Sequence, residues 1–262
     1  MPRTFSKKSQ RGKNFSKKVQ AIVREELQEE LEDKVAVVGL PNTLIQHAAI
    51  LSGNVAGISN FVKLLPLIQQ GDGQYNNRIG NEIRLKHLDI KMLFQYRDAA
   101  SQDDYFDSSV GIRVMILRQR DTNTQEGTLE NFQGDKLIEN GSVIAPGPAA
   151  FSGNTINLLQ KVNREQFAVR YDKVHYIHRT RQYNELGTNM QFNTPPRPVT
   201  VSHRMTFGKN GLKLTYGNAV SESPTNFPYI MVIGYASTIT ANAPNPLIIN
   251  YTYSSNAAYT DA

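Results

Sequence analysis

The sequence predicts an all-β chain, a single eight-stranded jelly-roll sandwich with a basic, partly helical N-terminal arm, and three observations predict it. Apolar residues after Gly39 fall in short runs rich in Val, Ile, Leu and Tyr. Turn residues divide those runs, and no helical pattern alternates with them, which points to strands packed face to face. The charge is also segregated at one end, so the first residues belong to a different kind of segment from the rest. Eight runs suit a jelly roll, although strand count alone fixes no topology.

The arm comes first, over residues 1–38, ahead of a shell domain over 39–262. Residues 1–24 hold eight basic side chains (Arg3, Lys7, Lys8, Arg11, Lys13, Lys17, Lys18 and Arg24) and no acidic one. Residues 25–34 then hold Glu25, Glu26, Glu29, Glu30, Glu32 and Asp33 against Lys34 alone. The other 228 residues are close to neutral, so the net charge of +6 conceals an asymmetry. Met1 to about Asn14 has too little apolar content to offset its ordering entropy and is expected to be disordered alone. Each Lys or Arg that meets a phosphate releases condensed counterions, so a basic tail of this kind binds nucleic acid without regard to sequence. Arg3, Lys7, Lys8, Arg11, Lys13, Lys17 and Lys18 are the candidate phosphate partners. A nuclear-localising or solubilising tail is the alternative.

From Ser16 to about Val38 the pattern turns helical. Val19, Ile22, Val23, Leu27, Leu31 and Val35 recur at three- and four-residue spacings with Ser16 as a candidate N-cap, and Gly39 and Pro41 give a stop. Its charges oppose the helix dipole, which implies support from phosphate at the basic end or from packing against other copies. A helix docked on its own domain is equally open.

Beyond Gly39 the expected strands are Leu44–Leu51, Glu82–Arg97, Ser109–Arg118, Gln166–His178, Pro198–Phe207, Leu212–Tyr216, Tyr229–Ser237 and Leu247–Tyr253. Lys209-Asn210-Gly211 predicts a hairpin between two of them. In Gln166–Ile177 strict alternation puts Phe167, Val169, Tyr171, Lys173, His175 and Ile177 on one face. Asp98–Ser108, Gln119–Gln160, Arg179–Arg197 and Val220–Pro228 are long inserts, natural surfaces for partners or sister subunits. Arg78 and Arg113 are expected to be structural, bonding loop carbonyls or a nearby carboxylate.

Composition excludes several chemistries. With no Cys, the chain can form no disulfide, thiolate metal site or cysteine nucleophile. His175 and His178 are the nearest approach to a ligand pair, and their spacing puts them on opposite faces of a strand. Asp103, Asp104 and Asp107 form an acidic loop, either a calcium site or merely solvated. Asn218-Ala219, Asn242-Ala243 and Asn256-Ala257 are possible self-cleavage bonds with no activating carboxylate in view. Neither a nucleophile elbow, a P-loop nor a dinucleotide fingerprint occurs, so no enzyme activity, metal or cofactor is expected. No apolar run approaches the ~20 residues that span a bilayer, and the N-terminus lacks a signal-peptide core.

Three segments resemble a known family. Gln70-Gly71-Asp72-Gly73-Gln74-Tyr75-Asn76-Asn77-Arg78-Ile79-Gly80-Asn81-Glu82-Ile83 is similar to the approach to a long strand in capsid proteins of small circular, Rep-encoding (circovirus-like) single-stranded DNA viruses. Gly111–Gln119 resembles the next strand of that family, and Phe167–Lys173 a later one. The order and spacing agree over residues 70–180. The resemblance implies a jelly-roll coat protein that self-assembles into an icosahedral shell, with the arm directed inward onto the genome, which is single-stranded DNA in that family, and an architecture related to the coat protein of satellite tobacco necrosis virus. DNA against RNA stays open, because phosphate contacts carry no sequence information. Its expected setting is the virion, with assembly in the host nucleus and no membrane partner. This arm is sparser in Arg than the family's usual arm. A cellular β-sandwich nucleic-acid-binding module with a nuclear-localising tail is the rival reading.

Overall fold

The computed structural model describes residues 18–19, 33–45, 50, 60–71, 76–96, 109–140, 147–178, 182–183, 190–191, 197–238 and 248–261. In chain order its strands are β1 (Lys34–Leu44), β2 (Phe61–Lys63), β3 (Glu82–Tyr96), β4 (Ser109–Gln119), β5 (Ile138–Asn140), β6 (Gly147–Ala149), β7 (Phe167–His178), β8 (Gln182–Tyr183), β9 (Met190–Gln191), β10 (Val199–Thr206), β11 (Leu212–Thr215), β12 (Ile230–Ser237) and β13 (Ile249–Asp261). The α-helix α1 (Gln125–Glu130) follows β4, and single 3-10 turns form at Gly134–Lys136 and Thr155–Leu158.

The pairing follows one rule. β1 pairs with β13, β2 with β12, β3 with β10 and β11, and β4 with β7, all antiparallel. The chain is thus one long hairpin whose tip lies between β4 and β7. Two further ladders, β13 on β3 and β12 on β4, roll that hairpin into two sheets. Sheet A has the order β1-β13-β3-β10, with β11 also on β3, and sheet B the order β2-β12-β4-β7. This is a jelly roll, and it removes all but four strand edges from solvent.

Side-chain alternation fills the space between the sheets. In β13, Ile249, Tyr251, Tyr253, Ser255, Ala257 and Tyr259 point inward. They pack with Ile83, Leu85 and Phe94 of β3 against Ile112, Val114 and Ile116 of β4 and Met231 and Ile233 of β12. Polar atoms carried inward find partners: Ser255 Oγ donates to Leu64 O at 2.7 Å, and Tyr259 Oη to Asn76 O at 2.6 Å. Burial pushes the Tyr259 phenol up to about 12. At the edge of the sandwich, the rings of Tyr171 on β7 and His203 on β10 meet at 4.5 Å, and Tyr171 Oη lies 3.1 Å from His175 Nε2.

The outer face of sheet B is also covered. The segment between β4 and β7 folds back over it, so Met115, Leu117, Ile230, Val232 and Ala236 bury against Phe132, Leu137, Ile138, Phe151, Leu158 and Val162. Every residue of β12 is consequently buried, which explains its unbroken apolar run. Two glycines let this roof sit close. A Cβ on Gly234 would lie 2.6 Å from the Phe151 ring, and one on Gly111 2.5 Å from Leu158. Arg113, 3% exposed, pins the roof from below. Its guanidinium donates to both carboxylate oxygens of Asp172 at 2.8 and 2.7 Å and to Asn157 O at 2.5 Å. Thr124 caps α1 by accepting from Gly127 N, and the buried side-chain Oε1 of Gln125 accepts from Leu64 N and Leu65 N.

Arg78 is wholly buried without a carboxylate partner among the described residues. It instead donates to Gln70, Gly80 and Asn81 on one loop and to the carbonyls of Asn218, Ala219 and Ser221 on another, with its guanidinium 4.2 Å above the Tyr216 ring. Two loops at one end of the sandwich are thereby fixed to each other. Both arginines are structural, as expected.

Several expectations need correction. Of the helix expected over Ser16–Val38, Lys18 and Val19 are helical and residues 20–32 lie outside the described residues, but Lys34–Val38 is strand. β13 offers those residues a full ladder, and β-branched Val35, Val37 and Val38 suit it better than a helix. Of the strand expected over Leu44–Leu51, Leu44 ends β1, Ile45 and Ile50 are not strand, and the remainder lies outside the described residues.

Lys209-Asn210-Gly211 makes no hairpin either. Thr206 pairs with His87 and Leu212 with Leu85, so β10 and β11 run in one direction along the same strand. The intervening residues form a jog, held by Gly208 at φ 78° and Gly211 at φ 68°, where a Cβ would meet Leu85 O at 2.8 Å. The single alternation expected in β7 also breaks. A register shift opposite Ile116/Leu117 turns Phe167 and Val169 toward the roof while Tyr171 and Ile177 stay in the central core. β13 runs on to Asp261, because Ser254–Asp261 is paired on one or both sides despite its weak strand propensity.

Three outcomes check this account. Arg78→Ala leaves six loop acceptors without their donor and is expected to lower unfolding free energy by about 3–5 kcal/mol in denaturant titration. Arg78→Lys recovers little, because an ammonium lacks the fork that reaches both loops. Gly234→Val overpacks against Phe151 by about 1–3 kcal/mol, and limited proteolysis is expected to open the segment between β4 and β7 first. Burial, with Lys173 adding to it, holds the imidazoles of His175 and His203 below their ordinary range. The fold therefore favours their neutral forms: stability is full above the ordinary value of about 6.5 and is lost as pH falls through the folded values. The thermal midpoint is expected to drop on acidification through about pH 6, and to drop less in His203→Gln.

Candidate nucleic-acid interface

Of the predicted phosphate partners, Arg3, Lys7, Lys8, Arg11, Lys13 and Lys17 lie outside the described residues. Lys18 is helical and exposed beside exposed Val19. The start of β1 is well defined. Lys34, the first residue of β1, donates to Asp261 Oδ2 at 2.5 Å and to Asn77 O at 2.9 Å. Asp261 Oδ1 accepts from the Ile79 amide at 3.0 Å, so one carboxylate at the end of β13 ties the arm's root to the loop before β3. Asp33, one residue earlier, pairs with Lys86 on the outer face of sheet A. The arm therefore meets the sandwich at the edge of sheet A, on its outer side.

Among the described residues no segment covers that outer face. Alternation along β3 sends Ile83, Leu85, Ile90 and Met92 inward and Arg84, Lys86 and Lys91 outward. A register shift at Ala258/Tyr259 keeps both Lys86 and His87 at the surface. Arg204 of β10 and Lys213 of β11 project on the same side, Arg204 opposite Asp89 and Lys213 opposite Arg84. Polar residues occupy the neighbouring positions, with Ser202 and Ser254 both opposite Lys91.

Ion pairs cancel part of this charge. Arg204 grips Asp89 through two bonds of 2.5 and 2.7 Å, and that hydrogen bond is the main influence holding the carboxyl below its usual range. Lys213 Nζ lies 2.8 Å from Glu82. Arg84 and Lys91 have no carboxylate partner among the described residues, and Arg84 makes only a 3.5 Å bond to Asn210 O. Such exposed cations are free to meet an anionic partner at little desolvation cost.

The sequence reading did not single out these side chains. A signal was present, since Arg84 and Lys86 alternate with Ile83 and Leu85, but which face lacks a cover depends on where the segment between β4 and β7 folds. His175 and His178 do not converge: His175 meets Tyr171, while His178 Nδ1 lies 2.8 Å from Ser109 Oγ. Asp103, Asp104, Asp107, Asn242 and Ala243 lie outside the described residues. Asn218 holds Arg78 through its carbonyl, and Asn256 and Ala257 sit in β13. Among the described residues no three His, Asp or Glu side chains gather as a metal-ligand set. No described helix is long and apolar enough to cross a membrane.

No family model and no curated protein matches the chain. Among solved structures, Merkel cell polyomavirus VP1 in complex with GD1a oligosaccharide aligns over 88% of this chain and 97% of that one, at 9% identity and a TM-score of 0.22. A superposition that loose carries no argument about function.

Proposed function

We propose that the chain is a viral coat protein that self-assembles into an icosahedral shell and packages single-stranded nucleic acid through its basic N-terminal arm. One observation carries the reading: a jelly roll with one face roofed and the other cationic and uncovered among the described residues, with Asp33 and Lys34, which follow the basic segment in the chain, held at the edge of that second sheet. Such a molecule has a distinct inside and outside, which a closed shell around a polyanion requires and a freely diffusing binding module does not. The phosphate partners on this reading are Arg3, Lys7, Lys8, Arg11, Lys13, Lys17 and Lys18, acting collectively.

The sequence resemblance supports the same reading. Its first segment runs through Arg78 into β3, and its two other segments lie in β4 and the first half of β7. From the resemblance we assign a single-stranded DNA genome and assembly in a host nucleus. Phosphate contacts carry no sequence information and do not themselves separate DNA from RNA.

Negative-stain electron microscopy of the purified chain at moderate salt, with the ultraviolet absorbance ratio of the same sample, tests the proposal. Closed shells of uniform size with nucleic-acid absorbance are the expected outcome. A homogeneous monomer or dimer across salt and pH would overturn it in favour of a cellular binding module. Deleting residues 1–18 is expected to leave shells that hold severalfold less nucleic acid per subunit, and full packaging by that variant sinks the arm's role.

A further inference from the structure

We propose that the outer face of sheet A is a second binding surface for single-stranded nucleic acid, a backbone track centred on Lys91 and Arg84 that works alongside the arm. The inference rests on the coat-protein reading above and extends it from the arm to the folded shell.

The register places the groups. Lys91 lies at the middle of the sheet with Ser202 of β10 directly opposite on one side and Ser254 of β13 on the other. Facing residues on adjacent strands stand about 5 Å apart, so the cation has a hydroxyl on each side in one row across three strands. This row suits a phosphate backbone: the ammonium supplies charge, and either hydroxyl adds a donor beside it. Gly39 of β1, opposite Ser254, adds no side chain to crowd the row.

Arg84 extends the line along the same strand, beside Lys213 on β11. Between them Arg204 is held by Asp89 and Lys86 by Asp33. Those pairs are exposed, and exposed ion pairs are weak enough for a phosphate to replace the carboxylate. Among the described outward residues of β3, β10 and β11 there is no Phe, Tyr or Trp, and the His87 imidazole is the one ring, so bases have little to stack on. The track therefore reads the backbone and not the sequence.

Two further features bind this surface to the arm. Asp33 already bridges the arm's root to Lys86 on this face, so a strand held by the arm arrives at its edge. The opposite side of the sandwich is closed by the apolar roof, leaving sheet A as the sandwich face with an uncovered row of cations.

The test uses the full-length chain and a fluorescent thirty-nucleotide oligothymidylate, titrated by anisotropy at several salt concentrations. The first variant is Lys91→Ala with Arg84→Ala; the second replaces the seven arm cations with Gln. Each lost contact to a single strand lowers the salt slope by about 0.7, so the face variant is expected to lose about 1.4 units and on the order of tenfold in affinity at low salt. The arm variant is expected to keep weaker, still salt-dependent binding. Photocrosslinking of a bromodeoxyuridine oligonucleotide to unmutated protein, expected to label peptides of β3 and β10, keeps the inference testable should a variant misfold.

If the face variant binds like wild type while the arm variant loses all binding, the track is refuted and the coat-protein reading stands. If the face variant binds normally but no longer assembles, the face is a subunit contact and the inference is equally refuted. If wild type binds no oligonucleotide at low salt, the packaging role falls with it.

Discussion

Burial of sheet B on both faces is the constraint from which the rest of the molecule follows. Its outer surface is apolar, and the segment between β4 and β7 must cover it. Arg113 makes that cover specific. Taking a guanidinium out of water costs several kcal/mol, and here a bidentate carboxylate and a roof carbonyl offset the cost only when the roof is in place. Hydrophobic area supplies most of the attraction, while the ion pair fixes the position of the turn at Asn157. Gly111 and Gly234 then set how close the cover comes.

A sandwich roofed on one side is no longer two-faced in the ordinary sense. One exterior is built from loop and turn, the other from strands whose outward residues include Lys, Arg, Ser, Thr and Asn, with Glu82, Asp89 and the exposed Val35 and Val37 among them. The Lys34–Asp261 pair, with both side chains largely shielded, sets the arm's root at the margin of the second exterior. Position and charge thus agree, and neither depends on a particular arm conformation.

Much of this was legible in the sequence. β3, β4, β7, β10 and β12 fall within a residue or two of their expected bounds, because Val, Ile and Tyr with clean turn residues leave few alternatives. Arg78 and Arg113 were legible as structural because each stands in a context of loop or strand lacking any chemistry to serve. The misreadings share a cause. β1 was mistaken for helix because its apolar spacing near Val35 continues that of the preceding segment, and only the remote partner β13 decides the matter. The Asn210-Gly211 turn was genuine, yet its direction was set by an open lane on β3 that local sequence does not reveal. The cationic face was missed because counting charge over 228 near-neutral residues hides a one-sided distribution. The unbroken run of β12 did announce a strand covered on both sides, and it was the available sign of the roof.

The pairing of β1 with β13 has a further consequence, for the timing of maturation. Lys34 and Tyr259 are partners more than two hundred residues apart, and β13 must also reach β3 before sheet A has its centre. β13 is therefore translated after every other strand of sheet A, and until then β1 has no ladder and the sheet stays open. Pairings of such long range are slow to form and leave strand edges exposed meanwhile. The basic segment thus reaches solution long before sheet A exists. A product truncated before β13 keeps that charge but lacks the strand that joins β1 to β3.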